Sequence, residues 1–191
     1  ILRFIKMQNH PKCLINDVYE FSSLKHIDNR GSFSEIYSLK NLPKIIRKEK
    51  FILECHAHTT KKNTLRGIHF QSFKPQCQLL TLITGKIKLV LIDLRFKSST
   101  FKKIVYFDLD YSNNNVIFMP TGVASAYLTK TNNVNILYKM NKYFNKNNDN
   151  GIKWDCKNLK IKWTTNDPIL SFKDKKNPQF DFYDFKQLNL K

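Results

Sequence analysis

The chain has 191 residues, 41% of them hydrophobic and 13% aromatic, and carries a formal charge of +18. That is apolar material for one core, and too much for a disordered segment. No apolar run reaches the length of a membrane span, and the opening ILRFIKMQNH lacks the apolar stretch and cleavage site of a secretory leader, so a cytoplasmic protein without membrane insertion is expected.

In chain order, LKNLPKII (39–46) is the one place where a short helix is expected. ECHAH (54–58) and TLRGIHFQ (64–71) alternate as strands do. LLTLIT (79–84) meets a turn at Gly85-Lys86, and IKLVLIDLR (87–95) follows. KIVYFDLD (103–110) runs into Ser112-Asn113-Asn114-Asn115. VIFMP (116–120) turns at Thr121-Gly122 into VASAYLT (123–129), which turns at Thr131-Asn132-Asn133 into VNILYKM (134–140). The polar loop KNNDNG (146–151) ends the series. Short β-branched and aromatic runs at this spacing predict an all-β sandwich or barrel. Without an internal repeat or linker, residues 1–191 read as a single domain.

The charge is of one kind: five arginines stand beside twenty-eight lysines. Bidentate reading of bases and phosphates favours arginine, and no recognition motif accompanies the lysines, so no nucleic-acid partner is expected. Cys13, Cys55, Cys77 and Cys156 are scattered without a C-x-x-C spacing, which predicts free thiols in a reducing compartment. ECHAH raises a metal reading, because His56 and His58, two apart on a strand, would share one face with Glu54. His69, taken alone, is a core or surface histidine more often than a catalytic one.

Company changes that reading. DNRGSFSE (28–35), TLRGIHFQ (64–71), LITGKIKLVLIDLR (82–95), SSTF (98–101), MPTGVASAYL (119–128), ILYKMNKYF (136–144), IKWDCKNLKIKW (152–163) and ILSFKDKKNP (169–178) occur in that order. The series resembles the dTDP-4-dehydrorhamnose 3,5-epimerase family over roughly residues 26–178. The resemblance implies a cupin-type jelly-roll β-barrel with N-terminal strands and a short C-terminal extension. It implies a homodimer, free of metal and cofactor, acting on a nucleotide-linked 4-keto sugar. By resemblance His69 is the base, Asp174 the carboxylate that orients it, and Tyr138 the acid on the opposite face. Arg30 and Arg66 match phosphate-binding positions, and Glu35 and Lys173 match other ligand-facing positions.

The chain departs from the family where the enolate would be stabilised. A lysine of the family is Gln78 here, a second histidine is Ser125, and a strand aspartate near that histidine is Leu89. A neutral amide makes weaker hydrogen bonds than a charged donor, and Lys74 is the expected substitute cation. The family's Q-x-N before the RGxH strand reads Glu54-Cys55-His56, which would set a carboxylate beside the pyrophosphate. Metal cupins take a further histidine where this chain has Ser125. The expected function is therefore epimerisation at C3, C5 or both of a nucleotide-diphospho-4-keto-6-deoxy sugar, feeding polysaccharide synthesis. The alternatives are a catalytically weakened nucleotide-sugar-binding relative and a metal-dependent cupin.

Overall fold

The computed structural model describes residues 15–190. Twelve strands form in chain order: β1 Tyr19–Ser22, β2 Leu24–Asp28, β3 Gly31–Glu35, β4 Leu53–Thr59, β5 Leu65–Gln71, β6 Gln78–Thr84, β7 Lys86–Asp93, β8 Ile104–Asp110, β9 Asn115–Met119, β10 Val123–Thr129, β11 Val134–Met140 and β12 Asp149–Gly151. Two five-stranded antiparallel sheets result, ordered β1-β9-β6-β11-β4 and β12-β5-β10-β7-β8, with β2 and β3 as a separate hairpin. From β4 to β7, and again from β8 to β12, successive strands alternate between the sheets. That is the winding of a jelly roll, and it confirms the expected fold class.

Strand β7 explains why the sequence reads KIKLVLID without clean alternation. Ile87, Leu89 and Leu91 point into the barrel, where they pack with Leu80, Leu82, Ile117, Met119 and Ile136. Val90 and Ile92 point the other way, yet they too are buried, under Ile152, Leu159, Phe180 and Phe185 of the C-terminal segment. From Leu89 to Ile92 the strand is covered on both faces and is apolar at every position, as such burial requires. A third cluster covers the outside of the other sheet, where Leu42 and Ile46 pack on Phe21, Leu79, Val116 and Phe118.

The C-terminal extension is thus a substantial layer, residues 152–190, that carries a short helix, α1 (Phe172–Lys176), capped by the Ser171 side chain. The helix expected over 39–46 is absent. Two turns take its place, closed by Leu42 N–H donating to Ser38 O (3.0 Å) and Ile46 N–H to Pro43 O (2.9 Å). Pro43 lacks an N–H and disfavours helical backbone at Leu42, so one continuous helix cannot pass through it. Cys55, Cys77 and Cys156 are free thiols, and Cys13 lies outside the described residues. Among the described residues no helix is long and apolar enough to cross a membrane.

Candidate active site

His69 sits on β5 opposite Ser125 of β10 on one side and Gly151 of β12 on the other. The β5–β10 pairing bulges between Ser125 and Tyr127. Gly67 makes the bulge possible: its φ is +119°, and a Cβ there would lie 2.6 Å from the Ala126 Cβ. Past this irregularity His69 turns into a cavity of about 270 Å³, which Cys55, Gln78, Ser125, Met140, Phe144 and Asp149 help to line.

Asp174 reaches His69 from α1. Its Oδ1 lies 2.6 Å from His69 Nε2, while Oδ2 accepts from the Gly67 N–H at 3.5 Å. The carboxylate is 2% exposed. Burial works against its ionisation and is the largest single influence, but hydrogen bonds from His69, Gly67 and Ser171 together hold it below the usual carboxylate range. An ionised Asp174 accepts only, so His69 Nε2 carries a proton towards it, and in the neutral imidazole Nδ1 then holds the lone pair.

Tyr138 comes from the other sheet. In register with Cys55 on β4 and Leu80 on β6, it shares their inward face. Burial, reinforced by Tyr127 and opposed by Arg66, pushes its hydroxyl well above the ordinary phenol range. It therefore stays protonated and can serve as a donor.

The cavity's polar groups fall into two sets. Gln71 accepts from Asn145 N–H (3.0 Å) and Gln76 donates to Lys142 O (2.7 Å), so both are spent on holding loops. Among the described residues, His69 Nδ1, Tyr138 Oη, the Gln78 amide, the Ser125 hydroxyl and the Cys55 thiol have no hydrogen-bond partner within the chain. Four of these groups, on His69, Gln78, Ser125 and Cys55, line the cavity, which is what a polar ligand requires, whereas Tyr138 is not among its lining residues.

Of the other sequence-derived residues, Lys173 is ion-paired with the cavity-lining Asp149 and so stands at the rim. Arg66 is exposed and donates from Nη2 to His58 O (3.0 Å), across the gap between β5 and β4. Nearby, Tyr127 Oη and Thr59 Oγ1, 3.0 Å apart, tie the two sheets together. Arg30 and Glu35 lie elsewhere. Arg30, with its side chain 85% exposed, pairs with Asp28 (2.6 Å) in the β2–β3 turn, and Glu35 accepts from Asn41 Nδ2. Neither residue lines the His69 cavity. Lys74 is exposed and is not among the cavity residues, so the expected substitute cation is not found there. Leu89 is buried in the barrel core.

The metal reading of ECHAH is overturned by the phase of β4. Cys55 and Ala57 are half-buried, while Glu54, His56 and His58 are exposed on the outside. Glu54 pairs with Lys139, and His56 Nε2 lies 2.8 Å from Asn135 Oδ1. The same phase carries Glu54 out of the interior, so it does not confront an anion there. A shift of one residue exchanges the faces of a strand. Among the described residues no three His, Cys, Asp or Glu side chains are grouped to hold a metal ion. Cys55, Met140, Phe144 and Asp149 were missed as cavity residues. For Cys55 the signal was present, since Leu53, Cys55 and Ala57 form the more apolar half of the strand.

With this geometry in hand, comparison with known proteins gives one answer. The model of the dTDP-4-dehydrorhamnose 3,5-epimerase family matches residues 12–181. The dTDP-4-dehydrorhamnose 3,5-epimerase of Shigella flexneri is 32% identical over 175 residues, covering 90% of this chain and 96% of that protein. The crystal structure of the Bacillus anthracis str. Ames protein of the same name, with TDP and PPi bound, superposes with a TM-score of 0.84 at 29% identity, covering 91% of this chain and 99% of that one. The Legionella pneumophila Philadelphia 1 dTDP-6-deoxy-D-glucose-3,5-epimerase, in complex with dTDP-4-keto-L-rhamnose, shares the fold with a TM-score of 0.86 at 23% identity over 100% of this chain and 99% of that one.

Proposed function

The chain belongs to the dTDP-4-dehydrorhamnose 3,5-epimerase family, and from that premise we propose that it is an isomerase that inverts C3, C5 or both of a dTDP-linked 4-keto-6-deoxy sugar. The observation that carries the mechanism is the His69–Asp174 pair at 2.6 Å, opening onto a cavity ringed by unpartnered polar groups.

A ketone at C4 acidifies the protons on C3 and C5. His69 Nδ1 removes one, and the ionised Asp174 stabilises the imidazolium without itself taking the proton. Negative charge moves to the C4 oxygen, where the Gln78 amide and Ser125 hydroxyl supply neutral donors. Tyr138, on the facing sheet, returns a proton from the other side, and the stereocentre inverts. Its high pKa keeps the proton available, and the nearby Arg66 favours the phenolate left behind.

Arg66 takes a phosphate of the nucleotide. Arg30, Glu35 and the hairpin that bears them act on the site of a second copy, so the active form is a homodimer. The exposed Ile27 and Phe33 of the same hairpin support this. The chain works as one domain, because the segment that delivers Asp174 packs on the barrel rather than apart from it. We place the activity in the cytoplasm, in sugar-nucleotide synthesis for polysaccharide.

Incubating the protein with a dTDP-4-keto-6-deoxy sugar in deuterated water tests this directly. Deuterium should enter at C3 or C5, and His69→Asn should abolish the uptake. A bound nucleotide sugar that gains no deuterium at either carbon would leave a binding protein, not an epimerase.

A further inference from the structure

Asp174 Oδ1 accepts a second hydrogen bond, from Asn177 Nδ2 at 3.4 Å. The amide orientation follows from chemistry, since the reverse would set two acceptor oxygens against each other. Asn177 is 9% exposed and follows the end of α1. Its amide also fills the space beside Gly151: a Cβ at position 151 would lie 2.3 Å from Asn177 Oδ1 and 2.4 Å from Nδ2. Gly151 is the β12 residue paired with His69. Its φ lies outside the left-handed range, so the requirement for glycine here is one of space. The surroundings are firmly anchored. Lys153 N–H donates to Pro178 O (2.7 Å), and the Tyr183 hydroxyl donates to Gly151 O (2.8 Å). Asn177 is therefore clamped between the strand next to His69 and the carboxylate that holds His69.

We propose that Asn177 is a positioning residue for this site, fixing the Asp174 carboxylate so that it holds His69 in the Nε2-protonated tautomer, and that Gly151 is glycine to leave room for it. The proposal rests on the reading of His69 as the base. A carboxylate held only by His69 and backbone can rotate about its side-chain torsions. With Asn177 on Oδ1 and Gly67 N–H on Oδ2, both oxygens are engaged and the carboxylate plane is fixed. The imidazole then presents Nδ1 to the cavity in one orientation. Loss of the amide should lower turnover more than substrate affinity, since Asn177 does not line the cavity.

The test uses the full chain labelled with ¹⁵N-histidine, read by the imidazole ¹⁵N signals of His69 together with deuterium uptake by a dTDP-4-keto-6-deoxy sugar. The wild type should show one tautomer, protonated at Nε2. Asn177→Ala should give a mixed or broadened signal and roughly tenfold slower turnover, in line with a sub-ångström loss of alignment, with KM within about twofold. Asn177→Leu has nearly the same volume but carries no donor, so it should behave like the alanine variant and separate donation from packing. Gly151→Ala should displace the amide and give the same phenotype, and adding Asn177→Ala to it should cost nothing further. A wild-type tautomer signal in Asn177→Ala, or in Asn177→Leu, would overturn the proposal. The ¹⁵N readout decides it even if the wild type proves inactive, an outcome that would count against the epimerase reading alone.

Discussion

Ser125 stands directly opposite His69 in the β5–β10 pairing, and both line the same cavity. Where the resemblance implies an imidazole, this chain places a hydroxyl beside the proposed base. Gln78, which the same resemblance aligns with a lysine, lies on the facing sheet, and Leu89 is buried in the core. The enolate would thus meet neutral donors only. Charge-assisted hydrogen bonds are about twice as strong as neutral ones, and losing one oxyanion donor costs about 100- to 1,000-fold in rate. One carbon should exchange deuterium much faster than the other, because the second deprotonation requires the ring to be repositioned against the same base. Gln78→Lys should speed the slower exchange, by up to about 100-fold. Equal rates at C3 and C5 in the unaltered protein, measured by NMR, would count against this account.

Much of this arrangement was legible in the residues. Most strand runs from Leu79 to Met140 fall where Gly, Asn or Pro closes them, whereas β7 ends at Asp93, two residues before the end of IKLVLIDLR, with no such residue to mark it. The His69–Asp174 contact spans 105 positions, and no local rule reaches that far. Only the family resemblance joined them. The phase of β4 was misread because its outward residues, Glu54, His56 and His58, are the conspicuous ones, whereas burial depends on the plainer Leu53, Cys55 and Ala57. Asn177 offered no signal at all. Its role depends on a missing Cβ at Gly151, which is a fact of packing.

Acid stability should follow Asp93 and Asp174, the two buried carboxylates among the described residues. Burial opposes ionisation of Asp93, yet bonds from Arg95, Thr100 and Ser98 outweigh it, and like Asp174 it is held below the usual range. A carboxyl whose folded pKa is depressed contributes fully above the unfolded value, about 3.9, and the contribution disappears as pH falls towards the folded value. Stability to urea should thus hold down to about pH 4 and drop below it. Asp93→Ala leaves Arg95 without its buried partner and should cost about 3–5 kcal/mol at neutral pH. Urea midpoints measured across the acid range check both statements.

Nucleotide binding should depend on Arg66. Its Nη2 is held on the His58 carbonyl, 3.0 Å away, which fixes the exposed guanidinium between β5 and β4. Arg66→Ala should weaken dTDP binding by about 1.5–3 kcal/mol, the range for a hydrogen bond to a charged group. Calorimetry showing unchanged affinity would remove Arg66 from the site.

The hairpin offers a test of assembly. Phe33 is 74% exposed and Ile27 57% exposed, an apolar display that a second copy would cover. The protein should sediment as a dimer at micromolar concentration, and Phe33→Asp should shift it towards monomer. The same variant should lose activity if Arg30 and Glu35 serve the partner's cavity. A wild-type monomer in sedimentation velocity would refute the dimer.

Tyr138→Phe separates the two halves of the chemistry. The base and its carboxylate are untouched by this change, and Tyr138 makes no hydrogen bond within the chain that the substitution would break. Packing should therefore persist, since the ring sits against the barrel core and only the hydroxyl is lost. His69 should still remove a proton and form the enolate. With no donor on the far face, the enolate can be quenched only from the near face, by the imidazolium that has just been formed. In deuterated water that imidazolium exchanges its proton before returning it, so the recovered sugar should carry deuterium with its configuration retained. The expected result is label without epimer, and a loss of inverted product far greater than the loss of exchange. Inversion at the wild-type rate in Tyr138→Phe would show that another group, such as water, donates on that face. Loss of exchange together with inversion would mean that Tyr138 is needed for deprotonation itself, through binding or enolate stabilisation.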